Sequence, residues 1–179
     1  MAKVYIALLH YPVYNKKKKV ITTCITGFDL HDIARSALTY GITRYYVVNP
    51  LPAQIVFAER IVNCWKSEKS FIHNWTRFEA FKLIKLKKNL EEVIKELKDP
   101  IIVATSAKNV GSIPYKTLKA KIKKNRKPVL LIFGTGWGLT KEAMQKVDYV
   151  LPPIKGKGSY NHLSVRAAVA IILDRLFGK

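Results

Sequence analysis

The order of apolar runs in this chain predicts an α/β fold whose sheet is mostly parallel and flanked by helices. Three observations carry that expectation. Short apolar runs such as Arg44 to Val48 and Ile101 to Thr105 read as buried strands, and they alternate with stretches of helical apolar spacing. The alternation continues from end to end without an internal repeat or a low-complexity linker. One strand, Leu131 through Gly134, runs into a glycine-rich turn ahead of a helix, and α/β sheets collect ligands beyond strand ends of that kind.

Taken in order, residues 3 to 9 alternate enough for a strand, and Val20 to Cys24 is its partner or continuation after a lysine turn at Lys16 to Lys19. Leu30, Ile33, Ala34 and Ala37 mark one face of a helix, with Asp29 placed to cap its start and Gly41 its end. Arg44 to Val48 is a strand stopped by Asn49-Pro50. Residues 53 to 65 suit a helix, while Trp65 to Phe78 fits no single pattern. Leu83 to Leu86 then predicts a strand, Leu90 to Leu97 a helix, Ile101 to Thr105 a strand and Tyr115 to Lys124 a basic helix. After the glycine turn, Thr140 caps a helix over 141–147, and Tyr149 to Leu151 forms a strand closed by Pro152-Pro153. The last helix, Leu163 to Phe177, is apolar around most of its circumference and rich in alanine, which suits a central position or a dimer interface.

No composition break divides the 179 residues, so residues 1–179 are expected to form one domain. Hydrophobic residues make up 49% of the chain, yet no apolar stretch approaches the roughly 20 residues of a membrane helix. Met1-Ala2-Lys3 lacks the shape of a signal peptide, and a cytoplasmic protein is expected. Cys24 and Cys64 stand alone, with no CxxC pair and no histidine at ligand spacing, so neither a disulfide framework nor a metal site is predicted.

The net charge of +20, from 32 Lys and Arg against 12 Asp and Glu, calls for an anionic partner, nucleic acid before others. A lysine-rich proteome explains less well why the acids do not rise in step. The basic residues fall at Lys16 to Lys19, Lys82 through Lys88, Lys116 through Lys127, and at Lys155 and Lys157. Only the last pair, beside Gly156 and Gly158, is suggestive by position. Lysine contacts to phosphate give salt-sensitive affinity and do not specify a base.

The run Leu131-Ile132-Phe133-Gly134-Thr135-Gly136-Trp137-Gly138-Leu139-Thr140 is the most informative in the chain. Glycines cluster where a side chain would fill space that something else needs. Their spacing disagrees with the dinucleotide fingerprint, and no Gly-Lys-Ser/Thr ends the loop, so both nucleotide-phosphate motifs are disfavoured. A tight strand-to-helix turn with no ligand is the competing explanation.

Three stretches together resemble the SPOUT superfamily of S-adenosylmethionine-dependent RNA methyltransferases. Asp29 through Ile42 is similar to the first motif: Arg35, Ala37 and Gly41 match, while Asp29 stands where Asn is usual and His31 where Gly is usual. Gly134 to Leu139 resembles the second motif, shorter here and without the glutamate common in the ribose-methylating branch. Leu151 to Ile171 resembles the third, through Pro152, Ile154, Gly156 to Gly158 and Asn161-His162-Leu163-Ser164. The overall pattern is nearest to C-terminal-domain relatives of the tRNA guanine methyltransferase. The resemblance implies an α/β fold with a deep C-terminal trefoil knot, a homodimer, and RNA crossing the subunit boundary. It also implies that S-adenosylmethionine is the cofactor and that a methyl group passes to a tRNA or rRNA nucleotide. A noncatalytic RNA-binding protein on the same fold is the alternative.

Methyl transfer from a sulfonium needs positioning more than a metal, because the electrophile already bears charge. On the resemblance, the cofactor is held at Thr105, Ser106, Phe133, Gly134, Thr135, Gly136, Leu151, Ile154, Asn161, Leu163 and Ser164, largely through backbone groups. Arg35 falls off its helix's apolar stripe and is the leading catalytic side chain, able to orient a phosphate or lower a hydroxyl pKa. Asp29 is either a base for the nucleophile or a helix cap. His31 is a weaker substrate contact, expected to be exposed. Ser164 bonds cofactor or caps the last helix, and Trp137 shields the cofactor, stacks on a base, or joins the core.

Overall fold

Eight strands and seven helices follow one another in a computed structural model that describes residues 2–106, 111–158 and 160–179. The strands are β1 Val4–Leu9, β2 Val13–Tyr14, β3 Val20–Ile21, β4 Arg44–Val48, β5 Ile84–Lys87, β6 Ile101–Thr105, β7 Val129–Gly134 and β8 Tyr149–Leu151. The helices are α1 Gly27–Thr39, α2 Pro52–Trp65, α3 Glu68–Phe81, α4 Leu90–Leu97, α5 Tyr115–Lys124, α6 Lys141–Met144 and α7 Val165–Phe177. Six strands form one sheet in the order β5-β4-β1-β7-β6-β8, with every neighbouring pair parallel. β2 and β3 form a separate antiparallel hairpin.

The sheet is covered on both faces, which is why its strands read as continuous apolar runs. In β7, Leu131 and Phe133 face a core shared with α1, α2, α3, α5 and α7, while Leu130 and Ile132 face a core shared with α4 and the end of α6. All four are at most 1% exposed, and each such burial contributes about 1.5–3 kcal/mol. The chain moves outward from β1 to β4 and β5, then crosses to the other side, where β7 lies next to β1. This reversal puts a topological switch point between β1 and β7, the place where open α/β sheets bind ligands.

Four sequence expectations need revision. α1 begins at Gly27 under Thr26, so Asp29 is the third helical residue and completes a capping box, with Thr26 Oγ1 accepting from Asp29 N. Residues 68–81, ambiguous as sequence, form α3, kinked at Asn74. α6 covers 141–144 rather than 141–147, with Thr140 as its N-cap. α7 buries one face, Val169, Ile172, Leu173 and Leu176, against α1, α5 and β7 and leaves its flanks half-exposed, so it is not enclosed on several sides.

Candidate cofactor and RNA site at the carboxyl edge of the sheet

Because the six strands are parallel, their carboxyl ends share one edge, and the site is built there. His10 follows β1, Asn49 follows β4, Ser106 follows β6, Thr135 follows β7 and Pro152 follows β8. α1 and α7 both start at this edge. Arg166 of α7 lies 3.7 Å from Asp32 of α1 and 5.2 Å from the Phe28 ring, while Asp174 accepts from Tyr40 at their far ends. Ser164, Leu163 and Asp29 therefore stand on the same side of the molecule as the strand-end loops.

The glycine loop docks on the β2–β3 hairpin. Tyr14 N donates to Gly138 O at 2.9 Å, Trp137 N donates to Tyr14 O at 2.8 Å, and Val13 pairs with Leu139. Gly136 has φ +56°, and a Cβ there would stand 2.8 Å from Tyr14 O. A Cβ on Gly134 would stand 2.9 Å from Leu139. The glycines at 134 and 136 are thus required by the chain's own packing, and a ligand is not needed to explain them. The same docking brings Lys16 to Lys19, which lie in the hairpin turn and are exposed, to the rim of this loop. Lysine position in the sequence favoured only Lys155 and Lys157.

Behind the loop lies a polar chain that sequence reasoning missed. His10 Nδ1 is 2.9 Å from Thr23 Oγ1, which is 2.6 Å from Thr135 Oγ1, and Thr135 Oγ1 donates to Leu9 O at 3.1 Å. Asn49 Nδ2 donates to Thr23 O at 3.0 Å, and Gln54 Oε1 accepts from Ile25 N at 2.6 Å. Burial lowers the pKa of His10 to about 4 despite the opposing pull of the Asp29 carboxylate. The only signal in the sequence is a lone histidine directly after a strand.

The predicted site residues fall into three groups. Phe133 and Leu151 are buried, so only their backbone can reach a ligand; Ile154 is half-buried against the core. Thr105 donates to Ile132 O at 3.3 Å, Ser106 is half-buried beside it, and Thr135 is tied into the polar chain. Asn161 is half-buried, Leu163 is 48% exposed, and Ser164 is the N-cap of α7, accepting from Ala167 N at 3.2 Å. Trp137, 58% exposed, is not a core residue.

Arg35 is exposed on α1 and makes no ion pair among the described residues. His31, expected to be exposed, is half-buried against the rings of Trp65 and Phe81, at 5.4 and 4.7 Å. Burial, then the Arg77 guanidinium, holds its pKa below the ordinary histidine value. Asp29 is 8% exposed, and its Oδ2 accepts from Thr26 Oγ1 at 2.6 Å and from Thr26 N at 3.3 Å.

Charge decides what ligand this edge suits. In a chain of net charge +20, the segments Thr105-Ser106, Gly134 through Thr140, Leu151 through Ile154 and Asn161 through Ser164 contain no Lys, Arg, Asp or Glu. A ligand that is itself cationic meets no like charge there, and backbone groups with the exposed Trp137 and Leu163 supply polar and apolar contact. This donor set fits a sulfonium-bearing adenosine. Lys141, Lys155 and Lys157 border these segments in the sequence, and Lys16 to Lys19 lie in the hairpin on which the glycine loop docks.

A parallel α/β sheet with uncharged strand-end loops in a strongly basic chain suits a small ligand beside an anionic partner. The chain belongs to the SAM-dependent RNA methyltransferase family, whose family model matches residues 3–178. It is 45% identical to an uncharacterized protein of Aquifex aeolicus over 98% of this chain and 89% of that protein. It is 40% identical to a tRNA (guanine-N(1)-)-methyltransferase of Nitratidesulfovibrio vulgaris over 97% of this chain, but spans only 42% of that enzyme's length. Among solved structures it matches the A. aeolicus TrmH/SpoU tRNA modifying enzyme, with a TM-score of 0.59 and 18% identity over 98% of this chain and 73% of the other. That likeness shows a shared α/β fold. Among the described residues no helix is long and apolar enough to cross a membrane.

Proposed function

We propose that this SAM-dependent RNA methyltransferase acts on tRNA, and that the loops after β6, β7 and β8 with the start of α7 hold its cofactor. The observation that carries the cofactor assignment is the absence of charge from four converging segments of a chain of net charge +20. S-adenosylmethionine supplies a methyl group on a sulfonium, ready for in-line displacement. The chain's part is to fix geometry. Backbone groups at Thr105-Ser106, Phe133 to Gly136, Leu151 and Ile154 hold the ligand, with Asn161, Leu163 and Ser164 closing from α7. The tRNA assignment draws on the relative matched over 97% of this chain; the target atom is not carried over, because this chain spans 42% of it.

Arg35 is the side chain we assign to the reaction. It is exposed and without an acidic partner among the described residues, so its guanidinium is available to a phosphate or to the nucleophile. Asp29 we assign to holding the start of α1, since the capping box occupies its carboxylate. We take residues 1–179 as one catalytic domain that pairs as a homodimer through the outer face of α1 and α7. Phe28 and Leu38 of α1 and Leu163 just before α7 are 69%, 41% and 48% exposed, apolar side chains that suit a partner. Ile113 N donates to Val150 O at 2.9 Å and the Tyr115 hydroxyl to Pro152 O at 3.5 Å, so the start of α5 lies along the end of β8. A deep C-terminal knot is what the family resemblance implies for the return from β8 to α7. The free cysteines Cys24 and Cys64, both exposed, suit the reducing cytoplasm.

The test is methyl transfer from labelled S-adenosylmethionine to tRNA and rRNA fractions from cells lacking the protein. Label in tRNA that disappears with Arg35→Ala is expected. Label confined to rRNA would overturn the substrate, and unchanged transfer by Arg35→Ala would overturn the residue.

A further inference from the structure

Directions of donation along the polar chain behind the glycine loop fix more than distances do. A carbonyl can only accept, so for all three contacts to be hydrogen bonds the single proton of the Thr135 hydroxyl goes to Leu9 O. Thr135 Oγ1 must then accept across the 2.6 Å contact, which makes Thr23 the donor. Thr23 Oγ1, its own proton spent, must accept from His10, so Nδ1 carries the imidazole hydrogen at 2.9 Å. Nε2 is left as a bare acceptor, and it is buried without a hydrogen-bond partner among the described residues. His10 is 1% exposed and anchored on both sides: His10 N donates to Val48 O at 2.9 Å, and His10 O accepts from Thr23 N at 2.9 Å.

Through this chain the end of β1 grips the loop after β7 across the topological switch point. We propose that His10, as the neutral Nδ1–H tautomer, is a positioning residue for cofactor binding: with Thr23 as the link, it sets Thr135 and so the conformation of Gly134 to Gly138. Backbone hydrogen bonds to the hairpin hold the outer half of the loop, at Tyr14 and Leu139. The inner half, where the loop meets the sheet, is held by Thr135 N donating to Leu9 O at 3.2 Å and, through side chains, by the His10–Thr23–Thr135 chain. The proposal rests on the cofactor assignment given above.

The test combines imidazole nitrogen NMR on the ligand-free protein with S-adenosylmethionine titration of the wild type, Thr23→Val and His10→Asn. The spectrum should show His10 protonated at Nδ1 alone. Thr23→Val removes both hydrogen bonds of Thr23 Oγ1 and should bind the cofactor about tenfold more weakly, without loss of folding. His10→Asn, whose amide N–H can take the place of Nδ1–H, should stay within about threefold of the wild type. An Nε2–H tautomer, or wild-type affinity in Thr23→Val, would overturn the proposal. Failure of the wild type to bind S-adenosylmethionine would instead defeat the cofactor assignment, and the tautomer would still decide which way the chain is polarised.

Discussion

At the amino edge of the sheet the ends of α1, α5 and α7 surround an open depression of about 360 Å³, lined by Tyr40, Gly41, Lys119, Ile122, Lys123, Leu176 and Phe177. The carboxyl edge gathers a buried histidine, two linked threonines, uncharged loops and an exposed tryptophan. The first is a gap between helix ends that lysines can cover. The second is a place where backbone and side chains have been committed to one another at close range. Concavity alone does not make a site; convergent polar groups held in one geometry do.

The sharpest way to break this comparison uses a glycine from each edge. Gly136→Ala puts a Cβ 2.8 Å from Tyr14 O at φ +56°, and should cost roughly 2–5 kcal/mol of stability, along with cofactor binding. Gly41→Ala has φ +70° but nothing within 4 Å of the new Cβ, and should cost about 1–2 kcal/mol with binding intact. Denaturant unfolding of both variants checks the difference. Equal costs would mean that the loop yields where the structure shows it clamped.

Acid should expose the same asymmetry. His10 has its pKa lowered from 6.5 to about 4, so between those values the unfolded chain takes up a proton that the folded one does not. Stability contributed by His10 is therefore present above pH 6.5 and lost as pH falls toward 4, by about 3 kcal/mol. Replacing His10 with Asn should flatten unfolding free energies over that window. A slope unchanged by the replacement would mean that another group controls the acid transition.

Smaller effects separate chemistry from stability. Arg35→Ala should lower methyl transfer about 100-fold while changing stability by less than about 0.5 kcal/mol, since exposed side chains without partners contribute little to folding. Replacing Lys16 to Lys19 with Gln should weaken RNA binding chiefly at low salt. Every one of these lysines that pairs with a phosphate should, once replaced, take about 0.7–0.9 from the slope of log affinity against log salt, read from titrations at several ionic strengths.

The sheet was legible because strands covered on both faces must be apolar throughout, and Arg44 to Val48, Ile101 to Thr105 and Tyr149 to Leu151 stand where their composition puts them. The start of α1 was misread by three residues: Thr26 and Asp29 both belong to one capping box, and a single acidic residue ahead of an apolar stripe looks like the cap itself. The glycine loop was legible as a close approach, but not as an approach to the hairpin, because Tyr14 and Gly136 are far apart in sequence. For the same reason no local pattern could join His10, Thr23 and Thr135, which the parallel pairing of β1 with β7 and the bond from Thr23 N to His10 O bring together. Charge was legible in total and only partly in position, since it is the fold that brings the hairpin of Lys16 to Lys19 beside the glycine loop.

Hydrogen–deuterium exchange with and without S-adenosylmethionine tests the central claim most directly, because it reads both edges of the sheet at once. Protection is expected at 134–139, 151–154 and 161–164, with none around Tyr40, Gly41 and Lys119 to Lys123. Protection at the amino-edge depression, with the glycine loop unchanged, would contradict the assignment of the cofactor to the carboxyl edge.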